Sequence, residues 1–338
     1  MSNSSQDTYM AHKIVILGAG IGGVAAKIYN KNAIIVDKNE KVTVFPRMIQ
    51  LLSGYPPDHI LYERHVDIHD TVKSINFKEK LIIMDKKNLS YDDLIVALGK
   101  SQNYSFIPGY KYIYGFNDMQ SAMKLKMAVD RSKYICIIGG GYLGVELAGT
   151  IKGKNITIVE AGNRLLSGLP ERYHKISLDI LQKLGVRVLF NEKVKEVTEN
   201  SVITYNGRIK SDVAIFTGGF TGNSLISELD IKNKNSKVIV DEYLKSKDYD
   251  DVYACGDSMA IENSIMPMSA IIARSSGITA MKNALGENRK FIPDNFANIM
   301  EIGDYYFGDF FNVPVSGVIA RLIKKAAIAQ SLNFARSI

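Results

Sequence analysis

The chain has 338 residues, which is enough for about two domains with a substantial hydrophobic core. Its composition of 46% hydrophobic and 23% charged residues, with 27 glycines, excludes a disordered, collagen-like or coiled-coil chain. The 42 basic and 35 acidic residues leave a net charge of +7, which is compatible with an anionic cofactor or an acidic membrane surface but selects neither. Two cysteines are too few for a disulfide scaffold and indicate a reducing compartment.

The sequence shows no targeting or membrane-spanning segment. The first ten residues, MSNSSQDTYM, are polar and lack the basic and apolar regions of a signal peptide. The most apolar late segment, residues 310–320, ends at Arg321 after about half a membrane span. We therefore expect a cytoplasmic protein that does not cross a bilayer, with peripheral contact at the inner face of the cell membrane left open.

The first motif with a chemical meaning begins at residue 13. Residues 13–17 (KIVIL) form a β-branched apolar run, typical of a strand buried on both faces of a parallel sheet. Gly18, Gly20 and Gly23 follow in the GxGxxG spacing, and a second apolar run ends at Asp37. These glycines permit a tight turn and the close approach of a pyrophosphate to a helix N-terminus. Asp37 stands where a carboxylate accepts hydrogen bonds from an adenosine ribose.

The same pattern recurs at residues 134–160. A strand-like run, YICII, precedes Gly139, Gly141 and Gly144, and a further apolar run ends at Glu160. An acid at this position binds the 2′-hydroxyl of NADH and repels the 2′-phosphate of NADPH. NADH is therefore the favoured nucleotide of this second unit.

Arg164 lies close in sequence to Glu160 and could accept a 2′-phosphate, so NADPH stays open. Two dinucleotide-binding units in one chain indicate two dinucleotides, and electron transfer between a flavin and a nicotinamide is the simplest chemistry that needs both. We predict an α/β protein with two Rossmann-like dinucleotide-binding domains, which hold FAD and NADH as cofactors.

Three further segments resemble the FAD-dependent pyridine nucleotide-disulfide oxidoreductase superfamily. YDDLIVALG, which ends at Gly99, looks like the strand that closes the first FAD segment of these flavoproteins. AIFTGG, which ends at Gly218 and Gly219, is similar to the crossover that leaves their NADH domain. DVYACGD resembles their second FAD signature, and the resemblance implies that Gly256 and Asp257 contact FAD, with Asp257 holding the ribityl chain.

The resemblance also implies the domain order. An FAD-binding domain would span residues 11–105 and 218–290, with the NADH-binding domain, residues 106–217, inserted into it. Residues 291–338 would form a small C-terminal segment for membrane association or oligomerisation. We further expect Asp257 to begin a helix, whose first N–H groups would stabilise the reduced flavin.

The cysteines separate this chain from the disulfide reductases of that superfamily. Those enzymes carry a CxxxxC pair after the first FAD turn, whereas no cysteine precedes Cys136 here. We expect Cys136 to be a buried, inert thiol and Cys255 to pack under the flavin.

What remains resembles the type II NADH dehydrogenases, which are single-chain NADH:quinone oxidoreductases. FPRMIQLLSG looks like the loop that places Pro46 near the flavin ring. GGGYLGVELAG carries Glu146 where that family has an acid close to flavin and nicotinamide. The resemblance implies that Glu146 is the catalytic acid that tunes or relays protons to quinone, and the alternative is a structural acid paired near the helix.

Several departures leave the electron acceptor open. Ser275 and Ser276 stand where that family has glutamines along the quinone tunnel, Lys27 replaces a small residue, and tryptophan is absent. The acceptor is a quinone or another small molecule. Alternatives are an enzyme like sulfide:quinone oxidoreductase, a soluble NAD(P)H reductase that passes electrons to a protein or O₂, and a redox-sensing flavoprotein interaction module.

The C-terminal segment is patterned as a basic amphipathic helix. At 100° per residue the apolar positions share one face and the basic side chains, among them Lys324, point away from its centre. The apolar set is Val315, Ile319, Leu322, Ile323, Ala326 and Ala329. SGVIARLIKKA also resembles the membrane-associating segment of the type II enzymes. We expect residues 313–338 to contact an anionic membrane surface, and packing on the FAD domain or in a homodimer is the alternative.

The remaining motifs point to no other chemistry. His59, His65 and His69 lack cysteine partners and are expected at the surface, so we predict no metal site. The sequence has no nucleophile elbow, no P-loop lysine motif and no nucleic-acid module, so hydrolase, NTPase and nucleic-acid-binding functions are not expected.

Overall fold

Two five-stranded parallel sheets dominate the computed structural model, which describes residues 12–43, 45–63, 66–262, 264, 266–293 and 296–335. The helices are α1 (Ile21–Tyr29), α2 (Phe45–Met48), α3 (Met119–Arg131), α4 (Tyr142–Thr150), α5 (Glu171–Lys183), α6 (Ser224–Glu228), α7 (Ala270–Ala284) and α8 (Gly317–Ala335). The predicted α/β class with Rossmann-like units is confirmed.

The strands are short and numerous. The first half of the chain carries β1 (Ile14–Leu17), β2 (Ile34–Asp37), β3 (Lys41–Thr43), β4 (Leu61–Glu63), β5 (Ile68–His69), β6 (Val72–Asn76), β7 (Leu81–Met84), β8 (Asn88–Ser90), β9 (Asp93–Val96), β10 (Lys100–Ser101), β11 (Ile113–Tyr114), β12 (Tyr134–Ile138) and β13 (Asn155–Val159). The second half carries β14 (Arg187–Leu189), β15 (Val194–Thr198), β16 (Ser201–Thr204), β17 (Arg208–Lys210), β18 (Val213–Phe216), β19 (Thr221–Gly222), β20 (Asn233–Lys234), β21 (Lys237–Val240), β22 (Val252–Ala254), β23 (Met259–Ile261), β24 (Ala297–Ile302), β25 (Tyr305–Phe310) and β26 (Val313–Ser316).

The first parallel sheet has the order β22-β9-β1-β2-β5. Its central strand, β1, is at most 2% exposed along its length, as expected for an apolar β-branched run covered on both faces. Helices α1 and α7 pack together so closely that a Cβ at Gly277 would lie 2.1 Å from the Gly22 carbonyl oxygen. Small residues on both helices therefore fix this layer against the sheet.

The second parallel sheet has the order β11-β18-β12-β13-β14 and repeats the first in design. Its central strand, β12, pairs with β13 and β18, and α4 follows β12 as α1 follows β1. The two sheets draw on separate parts of the chain, because residues 14–96 and 252–254 build the first and residues 113–216 build the second. The chain forms β10 after it leaves the first sheet and β19 after it leaves the second sheet. These two strands pair antiparallel, with Lys100 opposite Gly222.

The C-terminal part is a three-stranded antiparallel sheet, β24-β25-β26, followed by α8. The first six residues of the aromatic segment YYFGDFF form β25. Val315 lies in β26, so its assignment to the helical stripe was wrong. The sheet packs on α4, where a Cβ at Gly149 would lie 2.6 Å from the Gly303 nitrogen. This segment is thus attached to the second dinucleotide unit.

Helix α8 leaves most of its predicted apolar stripe exposed and packs on the protein with the opposite face. Ala320, Lys324 and Ile328, spaced four residues apart, point inward, whereas Ile319 and Leu322 are 62% and 61% exposed. Lys324 lies away from the centre of the stripe, as predicted, but it faces the protein, where a buried carboxylate receives its ammonium group. Among the described residues, no helix combines the length and the apolarity needed to cross a bilayer.

Candidate functional site

The first glycine motif forms a sharp turn from β1 into α1. Gly18 has φ of +100°, a value that favours glycine, and a Cβ at Gly23 would lie 1.9 Å from the Gly18 carbonyl oxygen. A Cβ at Gly20 would meet no atom within 4 Å, and no side chain of the described residues caps α1. The motif thus closes the turn with Gly18 and Gly23 and leaves the helix N-terminus open beside Gly20.

The second motif repeats this geometry between β12 and α4. Gly139 has φ of +114°, and a Cβ at Gly144 would lie 2.1 Å from the Gly139 carbonyl oxygen. The nearest atom to a Cβ at Gly141 is 4.0 Å away, and α4 also lacks a side-chain cap within the described chain. Gly218 lies against this turn, because a Cβ on Gly139 would be 2.8 Å from its Cα.

The two acidic residues occupy equivalent places. The Asp37 carboxylate accepts hydrogen bonds from the Ala19 nitrogen at 2.8 Å and from the Asn39 nitrogen at 2.8 Å. The Glu160 carboxylate accepts hydrogen bonds from the Gly140 nitrogen at 2.6 Å and from the Gly162 nitrogen at 2.6 Å. Each acid is therefore held at the mouth of its own glycine turn, as ribose recognition requires.

We call each glycine turn, with its helix N-terminus and its acid, a cradle. The first cradle comprises Gly18, Gly20, Gly23 and Asp37, and the second comprises Gly139, Gly141, Gly144 and Glu160. Both cradles fit a dinucleotide. An uncapped helix N-terminus attracts a phosphate through its N–H groups and the helix dipole, and the missing side chains at Gly20 and Gly141 leave room for one. A carboxylate beside each turn can accept the hydroxyl protons of a ribose.

Arg164 is engaged elsewhere. Its guanidinium forms an ion pair with Glu171 at 2.5 Å and donates to carbonyl oxygens of its own loop, including that of Leu169. These contacts hold the guanidinium in its own loop and leave Glu160 as the charge at the mouth of the second cradle. The arrangement favours a nucleotide with a free 2′-hydroxyl.

The segments implied by the resemblance meet at the carboxyl edge of the first sheet. Gly99, with φ of +75°, donates its N–H to the Ser258 hydroxyl at 2.8 Å. Gly256 donates its N–H to the hydroxyl of Ser276 at 2.9 Å. Ser276 is fully buried and thus supports the turn before Asp257 from α7.

Asp257 does not begin a long helix, so this part of the expectation was wrong. Gly256–Ser258 form a single 3-10 turn that runs into β23, and α7 begins only after its own cap, Ser269. The short chain between β22 and β23 leaves no room for a helix. Burial raises the pKa of Asp257, and Lys100 and Lys237 lower it in turn.

Glu146 is buried on α4 and paired with the C-terminal helix. Its Oε1 atom accepts hydrogen bonds from the Lys324 Nζ at 2.7 Å and from the Glu301 nitrogen at 3.2 Å. Burial raises the pKa of Glu146, and the Lys324 ammonium offsets part of the rise. A cleft of about 20 Å³, room for one water molecule, lies between α4, the 3-10 helix Ile49–Ser53 and Glu301.

The C-terminal sheet reaches the second cradle. Tyr142, the first residue of α4, donates its hydroxyl to Asn298 Oδ1 on β24 at 2.6 Å. Tyr173 on α5 donates to Asp309 Oδ2 on β25 at 2.8 Å. Sequence reasoning missed these contacts, since nothing local marks Asn298 as a partner of α4 or Asp309 as a partner of α5.

The two cysteines are free and buried, as expected. Cys136 lies in β12 and Cys255 follows β22, so they belong to different sheets. Burial raises the pKa of each thiol to about 12. Cys255 lies under the first cradle, where a Cβ at Gly22 would be 3.1 Å from its Sγ.

The remaining positions singled out in the sequence are placed as follows. Gly219 follows β18 and has φ of +129°. Pro46 belongs to α2, and its side chain lies outside the described residues, as do His65 and the side chain of His59.

Lys27 is buried and donates to the Ala33 carbonyl at 2.6 Å and to Asp67 at 2.8 Å, which explains a lysine in place of a small residue.

Two parallel sheets, each with a glycine turn and an acid, are typical of an oxidoreductase that binds two dinucleotides. The chain belongs to the pyridine nucleotide-disulphide oxidoreductase family, whose model matches residues 12–277. It is an NAD(P)H-dependent flavin oxidoreductase, and its cofactors are FAD and a nicotinamide dinucleotide.

Relatives of this chain have different activities. A type II NADH:quinone oxidoreductase of Haemophilus influenzae is 25% identical over 82% of this chain and 81% of its own length. An NADH oxidase of Lactococcus lactis is 25% identical over 95% of this chain and 80% of its own length. The structure of NDH2 from Plasmodium falciparum in complex with NADH matches with a TM-score of 0.83 at 17% identity, covering 96% of each chain.

Proposed function

We propose that this protein is an NADH:quinone oxidoreductase that works at a membrane surface. We assign FAD to the cradle of Gly18, Gly20 and Gly23 with Asp37, together with the Gly99 and Gly256–Asp257 turns. We assign NADH to the cradle of Gly139, Gly141 and Gly144 with Glu160. The FAD domain would comprise residues 11–105 and 218–290, and the NADH domain residues 106–217.

One observation carries the choice of acceptor. Helix α8 exposes Val318, Ile319 and Leu322, and the same helix inserts Lys324 next to the buried Glu146. The surface that would meet a lipid phase is therefore joined by one rigid element to an acid that can handle protons. A quinone needs both, since it is apolar and takes up two protons with its two electrons.

Glu146 is suited to the proton part of the reaction. Burial raises the pKa of its carboxyl, so the protonated form is accessible nearer to neutral pH than for an exposed acid. The water-sized cleft beside it offers a route for a proton, and Lys324 holds the carboxylate in one orientation. Bound FAD supplies the hydride-accepting and electron-transfer chemistry that side chains lack.

The cysteine positions support this choice over thiol chemistry. A disulfide reductase or a sulfide:quinone oxidoreductase needs paired cysteines beside the flavin. Here Cys136 and Cys255 sit in separate sheets, and both thiols are strongly protonated.

The exposed face of α8 is also suited to an anionic bilayer. Arg321 and Lys325 are exposed on the same helix as Ile319 and Leu322. Exposed apolar side chains flanked by cations favour the interface of anionic lipids. We therefore place the protein on the inner face of the membrane.

Two measurements test the proposal. The purified protein should show a flavin absorption band that bleaches on addition of NADH. Turnover with a short-chain quinone should exceed turnover with O₂ or a ferredoxin-type carrier by at least about tenfold, a clear preference on the scale of kcat/KM differences. Bleaching without quinone turnover would leave the donor half intact and contradict the acceptor.

A second candidate is a soluble reductase or oxidase of the same fold. The chain is 25% identical to an NADH oxidase, as it is to the type II enzyme, which favours this candidate. Ser275 and Ser276 also favour it, because they stand where the type II enzymes have glutamines and their hydroxyls bond to carbonyls of their own helix. Rapid reoxidation of the bleached flavin by O₂, faster than by quinone, would select this candidate.

A further inference from the structure

We propose that His174 is a positioning residue for the second cradle. Its ring nitrogen Nδ1 holds the loop of residues 161–170 against the glycine turn, and the cradle binds NADH with full affinity only while this nitrogen carries no proton. The inference rests on the proposed assignment of NADH to the second cradle, and it is independent of the electron acceptor. His174 belongs to no glycine motif and to none of the segments that carry the family resemblance.

The 161–170 loop supports the glycine turn through two successive leucines. The side chain of Leu165 packs on Gly140, because a Cβ at Gly140 would lie 2.6 Å from the Leu165 Cδ2. The N–H of Leu166 donates to the Gly140 carbonyl oxygen at 2.9 Å. Gly140 in turn donates its own N–H to the Glu160 carboxylate at 2.6 Å. The loop therefore fixes the residue that orients the acid of the second cradle.

The loop has a conformation that needs support from its surroundings. Leu166 has φ of +53°, in the left-handed region that leucine rarely adopts. A residue in this region persists only where surrounding contacts hold it. The Arg164 guanidinium supplies part of this support from within the loop, through the carbonyl oxygens of Leu166, Ser167 and Leu169.

His174 on α5 supplies the support at the preceding residue. The N–H of Leu165 donates to the His174 Nδ1 at 3.1 Å. Leu165 is fully buried, so its N–H has no access to water if this bond is broken. The Phe190 ring packs edge-on against the imidazole, with the ring centroids 5.6 Å apart, and restricts its orientation.

A proton on Nδ1 would break this bond. A neutral imidazole has one nitrogen that accepts and one that donates, whereas both nitrogens donate in the charged ring. The bond from Leu165 therefore requires the neutral ring with its proton on Nε2. Histidine is the side chain whose charge commonly changes between about pH 5 and 8. The support of the 161–170 loop is thus sensitive to pH in this range.

The loop, α5 and the segment after β14 bring charged residues to the surroundings of His174, namely Arg164, Glu171, Arg172, Lys175 and Glu192. Arg164 is paired with Glu171 at 2.5 Å, and Arg172 is paired with Asp309 at 2.5 Å. Lys175 is exposed. Both arginines are therefore compensated by acids, which leaves the ring free to take up a proton in mildly acidic solution.

The test measures how tightly the flavin-loaded, full-length protein binds NAD⁺, which has the same diphosphate and riboses as NADH but cannot reduce the flavin. His174→Leu removes the acceptor and should weaken NAD⁺ binding about tenfold at about pH 7.5, since a buried N–H loses its partner. His174→Asn places an amide oxygen near the position of Nδ1 and should recover most of this affinity. Lys175→Met, at the next and exposed position of α5, is the matched control and should bind NAD⁺ as wild type does.

The dependence on pH is the readout that a merely structural role would not change. From about pH 7.5 to about pH 5.5 the affinity of wild type should fall about tenfold further than that of His174→Asn, whose amide does not titrate. Nitrogen–proton correlation spectra of the histidine rings should show His174 with its proton on Nε2 at neutral pH. In stopped flow, His174→Leu should raise the apparent KM for NADH, whereas the limiting rate of flavin reduction should change by less than about twofold.

Three outcomes would overturn the proposal. The first is an equal pH profile of NAD⁺ affinity in wild type and His174→Asn. The second is a His174 ring that carries its proton on Nδ1 at neutral pH. The third is a lower unfolding temperature of His174→Leu with unchanged NAD⁺ affinity, which indicates a structural role. If His174→Leu does not fold, the comparison of wild type with His174→Asn still decides.

Glu160→Gln separates this proposal from the assignment on which it rests. If Glu160→Gln binds NAD⁺ as tightly as wild type does, the second cradle is not the nicotinamide nucleotide site, and the role of His174 fails with that assignment. If Glu160→Gln weakens NAD⁺ binding and His174→Leu does not, only the role of His174 is wrong. Wild-type protein that binds NAD⁺ but fails with quinone contradicts only the proposed acceptor.

Discussion

At the scale of single residues, the pair of Glu146 and Lys324 is a buried ion pair at the position of the proposed proton chemistry. Replacing Lys324 by Met leaves a buried carboxylate without its cation, which costs about 3 kcal/mol or more when the acid is charged. Burial raises the pKa of Glu146, and loss of the lysine raises it further. The pKa of such an acid is higher in the folded chain than in the unfolded chain. The folded state therefore keeps its full stability below the unfolded-state pKa, and it loses stability as the pH rises through the folded-state pKa.

The expected result is a pH-dependent deficit. Lys324→Met should unfold at a lower temperature than wild type at pH 8, and the difference should shrink toward pH 5 as Glu146 becomes protonated. Adding Glu146→Gln to the variant should remove most of the pH dependence. Lys325→Met, at the exposed neighbouring position, serves as the control. A deficit that is constant across this pH range would show that Glu146 is not the titrating partner.

We expect Glu160 to control the choice of nucleotide, also at the scale of a single residue. Glu160→Gln removes the charge that repels a 2′-phosphate and weakens the bond to the ribose. We expect kcat/KM for flavin reduction by NADH to fall about tenfold while that for NADPH rises. Glu171→Gln, which releases Arg164 from its ion pair, is the companion variant. If it alone raises NADPH use, Arg164 and not Glu160 sets the preference.

The residues that could be read from sequence are those with local roles. The turn at Gly18 and Gly23 and the position of Asp37 beside it were predictable, because a turn, a close approach and an acid at fixed spacing are all set by neighbouring residues. Their contacts with a cofactor stay predictions. The pairing of Lys324 with Glu146 was not predictable, since the two residues lie far apart in the sequence and are brought together only by folding.

At the scale of elements, α8 has three large apolar side chains that are exposed, Val318, Ile319 and Leu322, which is more than any other helix has among the described residues. Ile319→Glu combined with Leu322→Glu should weaken binding to vesicles that contain phosphatidylglycerol by at least about tenfold, because two apolar side chains no longer enter the interface. Cosedimentation measures this directly. Phe106→Glu combined with Tyr205→Glu changes charge equally at two other exposed apolar positions and should leave vesicle binding unaltered.

Unchanged vesicle binding in the α8 variant would contradict the membrane assignment. A change from dimer to monomer in the same variant would point to a second copy of the chain as the partner of this face. The thermal unfolding midpoint should stay near that of wild type in both cases, since the replaced side chains are exposed.

Elements with one dominant period were easier to predict than the C-terminal part. The buried runs of β1 and β12 and the helices behind them follow from apolar strands and glycine turns. By contrast, β24, β25 and β26 were not anticipated, and the sequence left open whether the apolar stripe of α8 faces a membrane or the protein. The apolar side chains of α8 point outward, so periodicity alone identified a stripe but could not say which side the protein covers.

At the scale of the whole molecule, the FAD site links parts of the chain that are remote in sequence. Its proposed contacts come from β1, from the end of β9 and from the turn after β22, which the first sheet brings side by side. Binding that requires all three together must favour the folded chain over the unfolded one. FAD at a thousandfold excess over its dissociation constant should therefore add about 4 kcal/mol to the free energy of unfolding.

The unfolding midpoint of flavin-stripped protein should accordingly rise with the logarithm of added FAD, and differential scanning calorimetry measures it. Riboflavin, which has no diphosphate and no adenosine, should give a much smaller rise at equal concentration, because it cannot reach the α1 cradle or Asp37. NADH should add a separate increment, since Gly139 and Glu160 belong to the second sheet. A midpoint that responds equally to FAD and riboflavin would mean that the first cradle holds no diphosphate.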